Sequence, residues 1–362
     1  MYDDDCLGHY RKEPAMSIVV LRLPNVKGES AERPEKCPNC KGEIFQRWGE
    51  VSKPIRDSQL RQVKVYRYYC CGCRRTFRHY PAGVDRADQS LRLRKLAALC
   101  WSLGLSYRGV TAVFTAFGIS ICHMTTWRDV QEQSDQLQQS RKWQPVRVLG
   151  VDGVYVRGWG DIRAVLVAID LGNGQPVMIG KVDEHDPQAV RKWLEPLVQR
   201  WGVSVIVTDD LLTYHLVAEH LDVAHQVCQF HLRRWVGRAL HQLQESLPEE
   251  WLWLIREVKQ LVAELPVEGG KRLFELWKQV AVKRTSSDGP LSAVDELRKL
   301  LIRLSDHWDT YRIFDWQPDV PWTNNTTEQA IGRMKMRSRT VRGYKSWVGM
   351  QAALMLTGNG VC

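Results

Sequence analysis

Three carboxylates far apart in the chain each stand where a divalent cation could be held. Asp152 lies in Val-Leu-Gly-Val-Asp-Gly, inside a hydrophobic run, and Asp209 closes a second run, Val-Ser-Val-Ile-Val-Thr-Asp. Glu328 follows Thr-Asn-Asn-Thr-Thr and opens a stretch dense in arginine and lysine. Magnesium favours a few carboxylate oxygens together with substrate phosphates. Strand-end carboxylates beside a basic clamp therefore point to phosphoryl transfer on nucleic acid. Each acid has a plainer reading as well. Asp152 or Asp209 alone could cap a turn or a strand end, and Asp210 is a rival to Asp209. Asn325-Thr326-Thr327-Glu328 has the spacing of a capping box. Against that stands the sequel to Glu328: Arg333, Lys335, Arg337, Arg339, Arg342 and Lys345, with no acid among residues 329–345. Such a run suits the phosphates of a strand being cut, whereas a merely solvated helix face intersperses acids.

The elements that must position these groups can be read from periodicity. Val146–Val156, Ile162–Leu171 and Pro176–Val182 alternate as strands, with Leu171-Gly172-Asn173-Gly174 as a hairpin turn. A helix is expected over Pro187–Trp201, a strand over Val203–Asp209, a helix over Tyr214–Leu221 and a strand over Ala224–Phe230. Three strands, helix, strand, helix, strand is the order of the α/β RNase H-like fold. In it the first and fourth strands lie side by side and parallel, so Asp152 and Asp209 would meet although 57 positions separate them. The 119 positions from Asp209 to Glu328 exceed what that fold needs and are helical in pattern, which fits an inserted all-α domain. In Glu250–Val262 the apolar residues share one face with Trp251, whereas Trp253 falls on the polar face, open to a dimer contact or base stacking.

The N-terminal part carries different chemistry. Cys37-Pro38-Asn39-Cys40 and Cys70-Cys71-Gly72-Cys73 form two C-x2-C pairs 29 residues apart, which suits four thiolates around one zinc ion in a zinc ribbon. Cys71 could replace Cys70, but only Cys70 keeps the spacing to Cys73. Paired thiols of this kind favour metal over disulfides. Three helices then follow, around Leu91–Cys100, from an N-cap at Ser106 to a break at Gly118, and after Ser120. A Gly turn before the third helix predicts a helix-turn-helix whose last helix enters a major groove, with Thr126 and Arg128 as groove or phosphate contacts and Trp127 in the core. A generic three-helix bundle is the alternative. Residues 1–145 hold 24 Lys and Arg against 15 Asp and Glu, so nearly all of the net charge of +10 lies there, the footprint of a polyanion-binding region. No apolar run of about 18 residues and no signal-peptide pattern occurs, so the expectation is a cytoplasmic, nucleoid-associated protein with no membrane partner.

Asp152 in Gly-Val-Asp-Gly, Asp209 in Val-Thr-Asp and Glu328 in Thr-Asn-Asn-Thr-Thr-Glu resemble the catalytic triad of bacterial insertion-sequence DDE transposases. Cys228-Gln229-Phe230-His231 is similar to the C/D-x-x-H signature of those with an α-helical insertion, including Mutator-like and hAT-like elements. Cys228 and His231 would then hold a metal or stitch the insertion to the core. Asp210 departs from the pattern, which has a small residue there. The resemblance implies a transposase that binds double-stranded DNA at element ends and cleaves and joins strands with Mg²⁺ or Mn²⁺, as a homodimer or higher oligomer. Zn²⁺ would occupy the ribbon. A domesticated DNA-binding regulator and an RNase H-like nuclease without transposition are the alternatives. The expected division is a flexible lead (1–30, with a short strand at Ser17–Leu23), a zinc ribbon (31–84) and a helix-turn-helix (85–140). A first core segment (145–232), the insertion (233–318) and a last core segment with the basic helix (319–362) complete it.

Overall fold

The structure is a computed structural model that describes residues 23–30, 32–141, 145–158, 161–280, 292–341 and 343–359. The expected strand at Ser17–Leu23, most of the expected flexible lead, and Arg342 lie outside them. The chain divides into two compact units. One holds Met1–Lys142, Arg157–Asp161 and Arg333–Cys362, and the other holds Trp143–Val156 and Ile162–Gly332.

The first unit opens with an antiparallel sheet, β1 (Phe45–Pro54), β2 (Gln62–Cys70) and β3 (Thr76–His79), in that order. Phe45, Tyr68 and Phe77 pack edge-on and stacked beside the buried Cys37 and Cys70, a small core. Packing begins as early as Val26, which is buried with Ile55, Val63, Val65 and Val84. Three helices follow: α1 (Leu91–Ser102), α2 (Tyr107–Ala116) and α3 (His123–Arg141). Ser90 caps α1 and Ser106 caps α2, each through its hydroxyl. Gly118, at φ 71°, makes the left-handed turn that a side chain would strain, and the chain then enters α3. Asp57 fastens ribbon to helix: its buried carboxylate accepts from Ser90, the Arg92 guanidinium and the backbone of Gln59 and Leu60. Those donors hold it well below the usual carboxylate range despite burial.

The second unit is built on a five-stranded sheet of β4 (Val148–Gly158), β5 (Asp161–Asp170), β6 (Gln175–Gly180), β7 (Val205–Thr208) and β8 (Ala224–Val227), in the order β6-β5-β4-β7-β8. β4, β7 and β8 run parallel and β5 pairs antiparallel with β6. Leu149, Val151, Ile206 and Val207 are fully buried, as parallel strands covered on both faces require. Helices α4 (Pro187–Trp201) and α5 (Leu212–Leu221) cover one face through Val190, Leu194, Leu197, Tyr214 and Val217. The start of α4 is fixed locally: Asp186 accepts from the N–H groups of Gln188 and Ala189, Pro187 presets the first turn, and Gly202 ends it in the left-handed region.

The expected strand Ala224–Phe230 stops at Val227. Cys228 is the cap of α6 (Gln229–Gln244), so the helical segment begins four residues before the expected boundary at 233. α6, α7 (Leu252–Glu264), α8 (Gly269–Gln279) and α9 (Ala293–Asp306) bury a leucine-rich core that includes Leu240, Leu254, Leu273 and Leu301. At roughly 1.5–3 kcal/mol for each fully buried leucine, this core accounts for much of the segment's stability. Trp251 packs against it from a short 3₁₀ turn, and Trp253 is 46% exposed on α7. After α10 (Ile313–Trp316) come α11 (Asn325–Thr340) and α12 (Trp347–Gly358), and α12 packs on α3 and α1 of the first unit.

Candidate active site

Strands β4 and β7 pair in parallel with Val148 opposite Val205 and Gly150 opposite Val207. Two residues further on, that register sets Asp152, within β4, beside Asp209, which directly follows the last residue of β7. Crowding shows in their protonation. Burial, then the charges of Asp209 and Glu184, push the Asp152 carboxyl from 3.8 up to about 7. Burial, then Glu184, raises that of Asp209 as well. Asp209 Oδ1 is buried without a hydrogen-bond partner.

The neighbouring Asp210 has a different situation. It accepts from His215 at 2.7 Å and from the Arg303 guanidinium at 3.1 Å, and it is buried. The structure thus separates the two rivals: Asp210 is consumed by an internal ion pair, and Asp209 keeps one oxygen, Oδ1, without a hydrogen-bond partner.

Glu328 arrives on the first turn of α11. The Glu328 N–H bonds to the Asn324 carbonyl, so Asn324 is the cap and Glu328 stands one position past the place a capping box requires. Its carboxylate lies 3.5 Å from His231 Nε2 instead. Gly150 lets the helix start come this close: a Cβ there would collide with the Thr327 hydroxyl and lie 2.8 Å from Asn324 Oδ1. Asn324 donates in turn to the Val151 carbonyl.

Cys228, His231 and Glu328 offer ligand atoms within 4.8 Å of one another. The Cys228 sulfur accepts from the Asn324 N–H at 3.2 Å, and the Gln229 N–H bonds to the Trp322 carbonyl. These bonds fasten the β8–α6 junction to the segment that leads into α11. Cys228, then Glu328 and Asp209, hold the His231 imidazole above its ordinary range.

Glu184 is a residue that sequence reading missed. It lies in the loop between β6 and α4, and its carboxylate accepts from the Tyr155 and Tyr214 hydroxyls, each at 3.2 Å. The sequence offers little to find it by, since Val-Asp-Glu-His-Asp reads as an acidic surface loop.

In the first unit Cys37, Cys40, Cys70 and Cys73 form one cluster, with Cys37 Sγ 3.8 Å from Cys73 Sγ and Cys40 Sγ 3.5 Å from Cys70 Sγ. Cys71 is exposed and stands outside it. Four thiols at such spacing suit a soft tetrahedral ion. Asp209 and Glu328 each hold a carboxylate oxygen buried without a hydrogen bond, a hard donor of the kind a hard divalent cation takes; Glu328 groups with Cys228 and His231.

The expected nucleic-acid contacts divide. Thr126 is fully buried in α3, which removes it from any groove, because its side chain faces the helical core. Arg128 is exposed and Trp127 half-buried. Arg337 is also withdrawn: it is 4% exposed, lies over the Trp101 ring at 3.8 Å and donates to the Trp101 and Leu105 carbonyls. It closes α1, whose last carbonyls attract a cation. Arg333 donates to the Gly358 carbonyl at the end of α12. Arg339 and Lys345 are exposed and Lys335 is half-buried.

Residues 184–352, which include Asp209, Cys228, His231 and Glu328, resemble a transposase domain. The family whose model they match is the transposase IS66 family, rather than a Mutator-like or hAT-like one. No curated protein matches the chain. Among solved structures, a chain of the cryo-EM simian T-cell lymphotropic virus intasome in complex with PP2A regulatory subunit B56 gamma is similar at 12% identity and a TM-score of 0.20, over 59% of this chain and 67% of that one. That likeness is too slight to bear on fold or function. Among the described residues, no helix is long and apolar enough to cross a membrane.

Proposed function

We propose that the protein is a DDE-type DNA transposase that binds the ends of its insertion sequence and catalyses strand cleavage and strand transfer. The observation that carries the reading is the meeting of Asp152 and Asp209 on adjacent parallel strands, with Glu328 brought to the same unit by α11. The strand order β6-β5-β4-β7-β8 supports an RNase H-like core, with α6–α9 as its insertion. The three helices α1–α3 support a helix-turn-helix, and the four cysteines support a zinc ribbon.

Two Mg²⁺ or Mn²⁺ ions, when bound, supply activation of the attacking oxygen and stabilisation of the leaving oxygen. The chain's own work is positioning. Asp152 is fixed within β4 and Asp209 directly follows β7, its parallel neighbour, so the sheet register brings the two side by side. Glu328 is held by the docking of α11 at Gly150, with His231 Nε2 beside its carboxylate at 3.5 Å. Arg128, Lys335, Arg339 and Lys345 are the cations offered for backbone phosphates of double-stranded DNA, both element ends and target. Joining two ends calls for at least a homodimer.

The test uses labelled duplexes carrying the two ends of the flanking element, with Mg²⁺ and a supercoiled target. Wild-type protein should release 3′-hydroxyl ends and give joined products. Asp152→Asn should bind the ends as wild type and cut at least about 10³-fold more slowly, as expected when transition-state charge stabilisation is removed. Cleavage without joining would assign a nuclease, and end binding without cleavage a regulator.

A further inference from the structure

The loop between β6 and α4 brings a fourth carboxylate to the candidate site. A Cβ at Gly153, the residue after Asp152, would collide with both oxygens of Glu184, so that carboxylate occupies the space a side chain would need. Its orientation is set from two directions. Tyr155 on β4 donates to Oε1 and Tyr214 on α5 donates to Oε2, each at 3.2 Å. Those phenols belong to the two chain segments that carry Asp152 and Asp209. Tyr214 is fully buried, and this carboxylate is the partner its hydroxyl has there.

A carboxylate has about four lone-pair directions, so one phenol on each oxygen leaves both oxygens able to accept again. Three carboxylates brought together also repel one another, and such a group is relieved by a cation that enters among them. An isolated surface acid would not need two tyrosines to aim it, nor a glycine to make room for it.

We propose that Glu184 is a fourth carboxylate ligand of the divalent-cation site, aimed by Tyr155 and Tyr214 at the space beside Asp152 and Asp209. The proposal rests on the reading of that site as a cation-dependent phosphoryl-transfer centre. It makes the site one of four acids contributed by β4, the β6–α4 loop, the end of β7 and α11.

The test needs no DNA. Mn²⁺ alone is titrated calorimetrically into the zinc-replete full chain as wild type, Glu184→Gln, Tyr214→Phe and Asp152→Asn, with melting temperatures taken with and without Mn²⁺. Glu184→Gln should weaken Mn²⁺ binding roughly 10–100-fold, the range seen when a group that supports metal ligation is lost. The metal-free melting temperature should hold or rise, because a repelling charge is gone while the amide oxygen still accepts from the phenols. A purely structural Glu184 would instead lower it. Tyr214→Phe should weaken Mn²⁺ binding less. With DNA added, Glu184→Gln should need a higher Mg²⁺ concentration for half-maximal cleavage. Wild-type Mn²⁺ affinity in Glu184→Gln, with affinity lost in Asp152→Asn, would overturn the role of Glu184 and leave the site standing. Unchanged affinity in both variants would overturn the cation site itself.

Discussion

Adjacent residues of one type can be put to opposite uses, and the pair Asp209–Asp210 shows how. Asp210 is matched by His215 and Arg303, whereas Asp209 has an oxygen buried and unpartnered. Asp210→Ala should therefore destabilise the fold by about 1–3 kcal/mol, below the usual cost of breaking a buried pair because Arg303 is partly exposed. Asp209→Asn should hold or raise the melting temperature while abolishing cleavage; thermal denaturation and the cleavage assay together separate the two. The basic stretch divides in the same way. Replacing Arg339 with Gln should lower the salt dependence of DNA binding by about one counterion, read from the slope of log affinity against log salt. Arg337→Gln should instead lower stability, since that guanidinium is buried on Trp101. No sequence pattern distinguishes residues 337 and 339. Both are cations two positions apart on one helix, and only the arrival of α1 buries one of them.

Elements were legible where local chemistry dictates them. α4 begins and ends where Asp186, Pro187 and Gly202 require, and the cap Ser106 is read from residue type alone. The overlong reading of β8 has a physical cause: Val227, Cys228 and Phe230 are apolar in either state, and helix start against strand end is decided by the bonds from Asn324 to Cys228 and from Gln229 to Trp322, 96 and 93 positions away. Helix docking is likewise invisible locally. Gly150→Ala should cost about 1–3 kcal/mol and weaken cleavage, because its methyl would push α11 and Glu328 off β4. Helix α3 supplies a pH-dependent case. Asp129 is buried, and burial, against a hydrogen bond from Gln89, raises its carboxyl from 3.8 to about 6. An acid raised on folding holds its proton in the folded state after losing it unfolded. Its contribution is therefore full at low pH and lost as pH rises from about 4 to 6. Asp129→Asn should remove that slope from melting temperatures measured between pH 4.5 and 7.5, and the variant should be the more stable at neutral pH.

At the scale of the whole molecule, the sequence conveyed the order of elements well and the grouping of residues in space less well. Asp152 and Asp209 could be brought together on paper because parallel strand order follows simple rules, whereas Glu184 sits in a loop whose position depends on two tyrosines and one glycine. The ribbon cluster belongs to the legible part. Removing its metal with a chelator should unfold the β1–β3 sheet, whose aromatic core is small, while leaving the circular dichroism of α6–α9 largely intact. The division of the chain has one more consequence. Strand β4 and the start of α11 close one unit, and α12 closes the other against α1 and α3, so neither is finished until the last thirty or so residues exist. On the ribosome the N-terminal unit cannot complete itself and wait for the rest, as beads on a string would. A polypeptide cut short by a nonsense codon or a stalled ribosome thus lacks a finished form of either unit.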